Sequence, residues 1–287
     1  MRFIVILLFI LASFDLHAEE LKIGLIPEQN IFTQKERYSY LSQYIEKEVG
    51  IKINLVMLPR YGNILEQFEL AHLDGAFWGS LTGAIAVIRF NVETIVRPVN
   101  LDGTTTYRGY MIVRKGSKIK DARDMKGKKL VLVDPFTTAG YLFPRAYFRK
   151  SGVENIDTYF KSYYFAGSHD AAIYAVLEGK ADVGFVKSTV FQIVSARDPQ
   201  VAQRILILKK SPPVPSNAFG TKVSLDKKLK ETLRKTFLAM HETPTGKETL
   251  AKFQALKFIP SPVTDYKPVY EMAREAGIEL KSYYLNK

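Results

Sequence analysis

The chain has 287 residues, with 41 Lys and Arg against 29 Asp and Glu, four His and no Cys. This length is sufficient to bury a substantial core, as one two-lobed domain or as two smaller ones. A hydrophobic share of 47% excludes general disorder, and the lack of cysteine excludes disulfides, thiolate metal sites and lipid attachment at an N-terminal Cys. The excess of positive charge, 41 − 29 = +12, leaves open a nucleic-acid binder, a membrane binder and a receptor for anions.

The first residues have the order of a secretory signal. Arg2 precedes an apolar run at residues 3–12, and the small residue Ala18 follows a short polar stretch. The run is shorter than the roughly 20 apolar residues of a membrane-spanning helix, so an uncleaved anchor is the less favoured alternative. We therefore expect residues 1–18 to be a cleaved signal peptide. The protein is then exported to the periplasm, without a lipid anchor and without nucleic-acid partners.

Short apolar strands then alternate with amphipathic helices, which is the pattern of an α/β protein. The first part of the chain has predicted strands at 21–26, 51–56, 75–78 and 94–113, and predicted helices at 34–49, 63–72 and 80–90. A second set begins near residue 118, with strands at 129–133, 159–165 and 181–186 and helices at 121–126, 139–150 and 169–178. Strands at 205–208 and 217–221 follow, and the remainder is predicted to be mostly helical, at 225–241, 246–253 and 266–276.

This order predicts two lobes. We expect lobe 1 to contain residues 19–112 and lobe 2 to contain residues 113–204. The segment 205–287 has too few predicted strands to stand alone, so we expect it to return to lobe 1. A chain that crosses twice between lobes forms a two-segment hinge, and the cleft between hinged lobes is a common position for a small-molecule site.

The segment 134–144 follows an apolar strand and begins a helix. Thr137 and Thr138 place hydroxyls at the start of this helix, and the small residues Ala139 and Gly140 let a ligand approach the backbone amides. Unpaired N–H groups and the positive end of the helix dipole favour an anion at such a turn. The alternative is ordinary N-capping by threonine.

Three further polar turns stand between a predicted strand and a predicted helix. In the turn at 167–170, Ser168 is placed to cap the helix and His169 to donate to an oxyanion, with a packed or solvated histidine as the alternative. The other two turns are at 27–30 and 78–82. Because ligands of open α/β sheets bind outside the carboxyl ends of the strands, we expect all four turns to face one cleft.

Enzymatic motifs are missing from the sequence. There is no Gly-x-Ser-x-Gly elbow, no Walker motif and no dinucleotide-binding glycine motif. Outside the predicted signal, His72, His169 and His241 are not spaced as a metal-binding pair. The sequence therefore predicts neither catalysis nor a cofactor nor a metal ion. A hydrolase or transferase on the same scaffold remains the alternative.

Four stretches, at 124–127, 133–144, 167–173 and 179–184, resemble the periplasmic phosphonate-binding proteins, the solute receptors of phosphate, phosphite and phosphonate ABC importers. The resemblance extends to 24–28 and 74–79 and so covers nearly the whole chain after the signal. It implies a type II periplasmic-binding-protein fold, with two α/β lobes that close on the ligand. It also implies a set of ligand-binding residues: Thr137, Thr138, Ala139, Gly140, Ser168 and His169 in lobe 2, and Trp78, Ser80 and Tyr107 on the facing side.

One departure from that family limits the expected ligand. Members that bind aminoalkylphosphonates have a carboxylate for the ammonium group shortly after the strand 181–184, whereas residues 185–190 here contain no acidic residue. We therefore expect capture of phosphate, phosphite or a small phosphonate by a monomer that delivers it to the membrane subunits of an ABC importer. The alternative is a receptor of the same fold that presents its ligand to a membrane signalling partner.

Overall fold

The computed structural model describes residues 20–283, so the predicted signal peptide at 1–18 lies outside the described residues. In chain order the strands are β1 (Glu20–Leu25), β2 (Lys52–Met57), β3 (Gly75–Trp78), β4 (Glu93–Asn100), β5 (Thr106–Tyr107), β6 (Gly109–Arg114), β7 (Lys129–Leu132), β8 (Ser162–Phe165), β9 (Val183–Lys187), β10 (Ile205–Lys210), β11 (Val214–Pro215), β12 (Ala218–Thr221) and β13 (Ala255–Pro260).

The helices alternate with these strands through most of the chain. They are α1 (Ile31–Val49), α2 (Asn63–Glu69), α3 (Ser80–Phe90), α4 (Phe143–Lys150), α5 (Ile156–Tyr159), α6 (His169–Leu177), α7 (Ser188–Arg197), α8 (Pro199–Arg204), α9 (Lys227–Ala239), α10 (Pro244–Phe253), α11 (Lys267–Ala276) and α12 (Leu280–Tyr283).

The strands form two separate sheets, one in each lobe of a type II periplasmic-binding-protein fold. The sheet of lobe 1 has the order β13-β4-β12-β3-β1-β2, and the sheet of lobe 2 has the order β10-β6-β9-β7-β8. One side of each sheet is parallel, β3-β1-β2 in lobe 1 and β9-β7-β8 in lobe 2, as in other α/β folds. The carboxyl ends of these strands therefore point toward the cleft, where loops and helix N-termini form its walls.

The two connections between the lobes pair with each other. β5 and β11 form a two-stranded antiparallel ribbon in which Tyr107 lies opposite Val214. The Arg108 guanidinium donates to the Ser211 carbonyl oxygen at 2.7 Å, and the Ser211 hydroxyl accepts from the Gly109 amide at 2.8 Å. The hinge is thus a defined element with its own hydrogen bonds.

Both predicted lobe boundaries need correction. β6 begins at Gly109 and pairs with β9, and β10 at Ile205–Lys210 pairs with β6, so the sheet of lobe 2 spans residues 109–210 instead of 113–204. α11, in the segment 205–287 assigned to lobe 1, contacts both α4 of lobe 2 and α3 of lobe 1, so this segment does not belong to lobe 1 alone. Alternation along the sequence identifies strands, but it does not specify the sheet in which each strand pairs.

Three of the elements that the sequence did not predict have identifiable reasons. β13, in a region predicted to be helical, has three exposed positions among six, which weakens its strand pattern. α7 directly follows β9, so the apolar residues of the strand and the helix merge into one run that hides the boundary. α8 starts at Pro199, capped by Asp198, and is only six residues long.

The hydrophobic core has two parts. One lies in lobe 1 around Phe77, Phe219, Phe237 and Phe258, beneath α1, α9 and α10. The other fills lobe 2 and continues through α3 and α11 along the cleft side of lobe 1. Among residues 20–283, no helix combines the length and the hydropathy needed to cross a bilayer.

Candidate functional site

A cavity lies between the lobes, at the ends of the strands. All four polar turns predicted from the sequence contribute to its wall, together with hinge residues. Its lining residues are Ile26, Glu28, Tyr61, Gly79, Ser80, Tyr107, Phe136, Thr137, Thr138, His169, Lys187 and Asn217.

The threonine turn is fixed by hydrogen bonds within itself. The carboxylate of Asp134 accepts from the Phe136 amide at 2.8 Å, and the Asp134 carbonyl oxygen accepts from the Thr137 hydroxyl at 2.7 Å. The hydroxyl of Thr137 is therefore already used inside the protein. Burial raises the pKa of Asp134 above its usual value, while the amides of Phe136 and Tyr61 partly oppose this rise.

A π-helical turn at Thr138–Leu142 follows and leads into α4. The amides of Thr138, Ala139 and Gly140 lie in the first turn of this helix, where amides have no acceptor one turn earlier within the helix. Gly140 is required by packing, because a Cβ here would lie 2.5 Å from Cβ of Val133. The turn therefore packs closely on the end of β7, with the start of the helix next to Thr138.

Two buried hydroxyls at the cavity have no partner in hydrogen-bonding geometry in the described structure, although one of them, that of Thr138, is close enough to the Tyr107 hydroxyl to lower the pKa of Tyr107. They belong to Thr138 in lobe 2 and to Tyr61 in lobe 1, and both side chains are 3% exposed. Burial raises the pKa of Tyr61 well above its usual value, so its phenol stays a neutral donor at physiological pH. Because buried polar groups are nearly always paired in native proteins, two unpaired hydroxyls at one cavity indicate a ligand site.

His169 supplies a third neutral donor. Gly167, with φ +82°, makes the turn, and the Ser168 hydroxyl accepts from the Ala171 amide to begin α6. Nδ1 of His169 accepts from the Lys187 amide at 3.2 Å, so the ring proton of the neutral imidazole is on Nε2. Burial lowers the pKa of His169 to about 3, which keeps the ring uncharged.

The Ser80 hydroxyl ties lobe 1 to the hinge. Its Oγ lies 2.8 Å from both the Pro215 carbonyl oxygen and the Tyr107 hydroxyl. The Ser80 hydroxyl is placed to donate to both acceptors. Burial raises the pKa of Tyr107 to about 12, although the Ser80 and Thr138 hydroxyls oppose that rise. The hydroxyl proton of Ser80 is thus used in positioning the hinge.

A buried ion pair crosses the cleft beside these donors. Nζ of Lys187, at the end of β9, lies 2.5 Å from Oε1 of Glu28 and 3.1 Å from Oδ1 of Asn217, and it stands 4.5 Å from the centre of the Tyr107 ring. Burial raises the pKa of Glu28, but the charges of Lys187 and Arg37 outweigh burial and leave this pKa below its usual value. The carboxylate of Glu28 is thus ionised and neutralised by Lys187.

Backbone hydrogen bonds join the same two walls. The His169 amide donates to the Glu28 carbonyl oxygen at 3.1 Å, and the Asn30 amide donates to the Asp170 carboxylate at 2.8 Å. Asp170 also accepts from the Ser168 hydroxyl. The lobes are therefore in contact at the N-terminus of α6, and the cavity is enclosed.

The structure places five of the nine predicted site residues at the cavity: Ser80, Tyr107, Thr137, Thr138 and His169. Trp78 instead lies in the core, where its Nε1 donates to the Gly220 carbonyl oxygen at 3.2 Å. Ser168 serves as a helix cap, and Ala139 and Gly140 lie behind Thr138 without lining the cavity.

Sequence reasoning missed Tyr61, Lys187 and Asn217, and it assigned no role to Glu28 within its predicted turn. One signal was available for Lys187. It ends a strand whose other residues are all apolar or glycine, and a lysine in that position is seldom buried without a partner. Tyr61 and Asn217 gave no such signal, because each reaches the cavity only through the packing of distant segments.

Comparison with known proteins gives a family and several relatives. A family model described as the periplasmic substrate-binding protein of phosphonate ABC transporters matches residues 23–266. The phosphonates-binding periplasmic protein of Escherichia coli is 27% identical over 266 residues, which cover 90% of this chain and 78% of that protein. The phosphate-import protein PhnD of Mycolicibacterium smegmatis is 31% identical over 180 residues, 60% of this chain and 56% of that protein.

Solved structures share the fold. A binding protein component of an ABC phosphonate transporter from Pseudomonas aeruginosa superposes with a TM-score of 0.84 at 23% identity, covering 91% of this chain and 87% of that chain. PhnD1 of Prochlorococcus marinus, in complex with methylphosphonate, superposes with a TM-score of 0.80 at 22% identity, covering 91% of this chain and 99% of that chain.

Proposed function

This chain belongs to the family of periplasmic substrate-binding proteins of phosphonate ABC transporters, and we propose that it captures a tetrahedral phosphorus oxyanion in the cavity between its lobes. The candidate ligands are phosphate, phosphite and small phosphonates. The proposal includes export by cleavage after Ala18, a monomeric state, and delivery of the ligand to the membrane subunits of an importer. The names of the relatives support import over signalling.

The unpaired donors at the cavity carry this proposal. The hydroxyls of Thr138 and Tyr61 are buried without partners in hydrogen-bonding geometry, and Nε2–H of His169 is a neutral donor on the same wall as Thr138. An unsatisfied buried donor costs about 1–3 kcal/mol, so an enclosed site with several of them favours a ligand rich in acceptor oxygens. A tetrahedral oxyanion presents such acceptors in several directions.

The charges at the cavity are consistent with a small anion. Lys187 is the positively charged side chain among the described residues that line the cavity, and its Nζ pairs with the carboxylate of Glu28. That carboxylate is therefore not available to an ammonium group on the ligand.

The site chemistry supports binding instead of turnover. A histidine with a pKa of about 3 does not accept a proton at neutral pH, and its Nδ1 is already engaged by the Lys187 amide. The side chains at the cavity thus hold a ligand by donating hydrogen bonds. Closure of the lobes on the ligand then gives the importer a distinct surface to recognise.

Isothermal titration calorimetry of residues 19–287 tests the proposal. The titrants are phosphate, phosphite, methylphosphonate, sulfate and nitrate. We expect saturable binding, with one site per chain, of at least one phosphorus oxyanion, and no binding of planar nitrate. No binding of any of the three phosphorus oxyanions would overturn the proposed function.

A further inference from the structure

A second cavity adjoins the first on the far side of the Glu28–Lys187 pair. It lies between α1 and α10 of lobe 1, α7 of lobe 2 and the hinge. The two cavities share three lining residues, Glu28, Lys187 and Asn217. The cavities are therefore neighbours, and a substituent on a ligand held at the first would reach the second by passing these three side chains.

The second cavity contains an unbalanced positive charge. Glu28, Arg37 and Lys187 are its charged residues, and Glu28 is already paired with Lys187. Within residues 20–283, no carboxylate oxygen lies within 4.0 Å of an Arg37 nitrogen. The guanidinium is held in place by the Phe253 ring, whose centre is 4.8 Å from its Cζ. Arg37 is thus a positioned cation without a direct counterion in this part of the chain.

Unpaired donors accompany this charge. Nε of Arg37 is buried and has no partner in hydrogen-bonding geometry among the described residues, and the same holds for Nδ2 of Asn217, whose side chain is 5% exposed. Both side chains nevertheless lie close enough to the Tyr38 hydroxyl to lower the pKa of Tyr38. The Lys187 ammonium has three protons, of which Glu28 and Asn217 accept two. Donors from the lobe 1 helix, the hinge and lobe 2 therefore converge on one small volume.

We infer that the second cavity binds the tail of the ligand and selects a tail that carries a carboxylate. This inference rests on the proposed function, which places the phosphorus group on Thr138, Tyr61 and His169. The preferred substrate class is then short phosphonocarboxylates, whose phosphorus group and carboxylate are separated by one or two carbons.

Other tails fit this cavity less well. An ammonium tail would face Arg37 and Lys187 without a free carboxylate, since Glu28 is occupied. An apolar tail would leave Nε of Arg37 and Nδ2 of Asn217 buried and unpaired, which is unfavourable. A carboxylate supplies both the negative charge and the acceptor oxygens that these groups lack.

Calorimetry with a matched ligand series tests the inference. The ligands are methylphosphonate, phosphonoacetate, phosphonoacetamide and 2-aminoethylphosphonate, in which phosphonoacetamide has nearly the shape of phosphonoacetate without its charge. We expect phosphonoacetate to bind at least about tenfold more tightly than phosphonoacetamide. We expect 2-aminoethylphosphonate to bind more weakly than methylphosphonate.

Variants of Arg37 test whether this residue causes the preference for phosphonoacetate over phosphonoacetamide. Arg37→Met should reduce the ratio of phosphonoacetamide to phosphonoacetate dissociation constants to near one, and Arg37→Lys should retain part of it. Lys35→Met removes a positive charge from an exposed position on the same helix and should leave the ratio as in the wild type. Thermal unfolding of each variant checks that it is folded.

The outcomes separate the two proposals. Equal affinities for phosphonoacetate and phosphonoacetamide, with methylphosphonate bound, overturn the tail site and leave the proposed function intact. A preference for phosphonoacetate over phosphonoacetamide that persists unchanged in Arg37→Met also overturns the tail site. Failure of every phosphorus oxyanion to bind overturns the proposed function and the tail site together.

Discussion

The two walls of the cleft are built in different ways. The lobe 2 wall consists of two helix starts, and the groups that shape each turn are neighbours in sequence, such as Asp134 with Thr137 and Ser168 with Asp170. The lobe 1 wall depends on contacts across the cleft, since both the carbonyl and the carboxylate of Glu28 are bonded to lobe 2. One wall is therefore preformed, whereas the other is completed by closure.

This difference predicts that substitutions in the two walls have different consequences. Loss of a lobe 2 donor should remove a contact with the ligand and leave closure intact. Loss of a cross-cleft contact should instead change the closed state itself.

The largest expected effect follows from removing Lys187. Lys187→Met leaves the Glu28 carboxylate buried without a counterion, beside a bound anion, and removal of one partner of a buried ion pair costs about 3–5 kcal/mol. We expect the dissociation constant for phosphate or methylphosphonate to rise more than about a hundredfold in calorimetry. The double variant Glu28→Gln with Lys187→Met should recover most of this loss. A single variant that binds like the wild type would show that the pair has no role in closure.

Thr138→Val has the next largest expected effect. The hydroxyl of Thr138 lacks an internal partner in hydrogen-bonding geometry, so its removal should weaken oxyanion binding by about 1–3 kcal/mol and leave the free energy of unfolding without ligand nearly unchanged. Thr137→Val is the matched control, because the Thr137 hydroxyl donates to Asp134 inside the turn. This control should lower the free energy of unfolding, measured in urea, more than it weakens binding. If Thr137→Val weakened binding and Thr138→Val lowered the free energy of unfolding, Thr137 would be the ligand donor and Thr138 the structural residue.

Gly62→Ala tests the closure of the two lobes, and its expected effect on ligand affinity is smaller. A Cβ at Gly62 in lobe 1 would lie 2.7 Å from the Phe136 ring in lobe 2, so the closed form must shift to accept it. We expect the dissociation constant to rise by roughly fivefold, about 1 kcal/mol, which is the lower end of overpacking costs. Phe136→Leu in the same chain should restore part of the affinity. An unchanged affinity in Gly62→Ala would indicate that the ligand-bound form is more open than this structure.

A separate prediction concerns the pH dependence of stability and the lobe 2 histidine. Burial lowers the pKa of His169 from 6.5 to about 3, so between these values the unfolded chain binds one proton more than the folded chain. The free energy of unfolding should therefore fall as pH decreases below about 6.5. His169→Gln should lack this component of the pH dependence in urea denaturation, measured between pH 6.5 and about 4.5. Identical pH slopes for variant and wild type would show that His169 titrates normally in the folded protein.

The same contrast explains how far sequence could predict the site. Thr138 and His169 stand next to strand ends and helix starts, so strand-to-helix turns were sufficient to place them near one cleft. Tyr61 and Asn217 reach the cavity through lobe closure and hinge pairing, which no local pattern encodes. Trp78 was misplaced because its position along β3 does not reveal that its indole points into the core, toward Gly220. The predicted lobe boundaries were wrong for a related reason, because the sheet that a strand joins depends on residues distant in sequence.

The net charge of +12 offers a competing explanation for anion binding, through general attraction to a basic surface. Calorimetric titration of the wild type with methylphosphonate and with phosphate, at about 0.15 M and again at about 1 M NaCl, separates the two explanations because salt screens exposed charges. Binding by buried neutral donors and one buried ammonium predicts a saturable site whose dissociation constant changes little with salt. An affinity that falls steeply at high salt, or a lack of any saturable binding, would contradict the central claim.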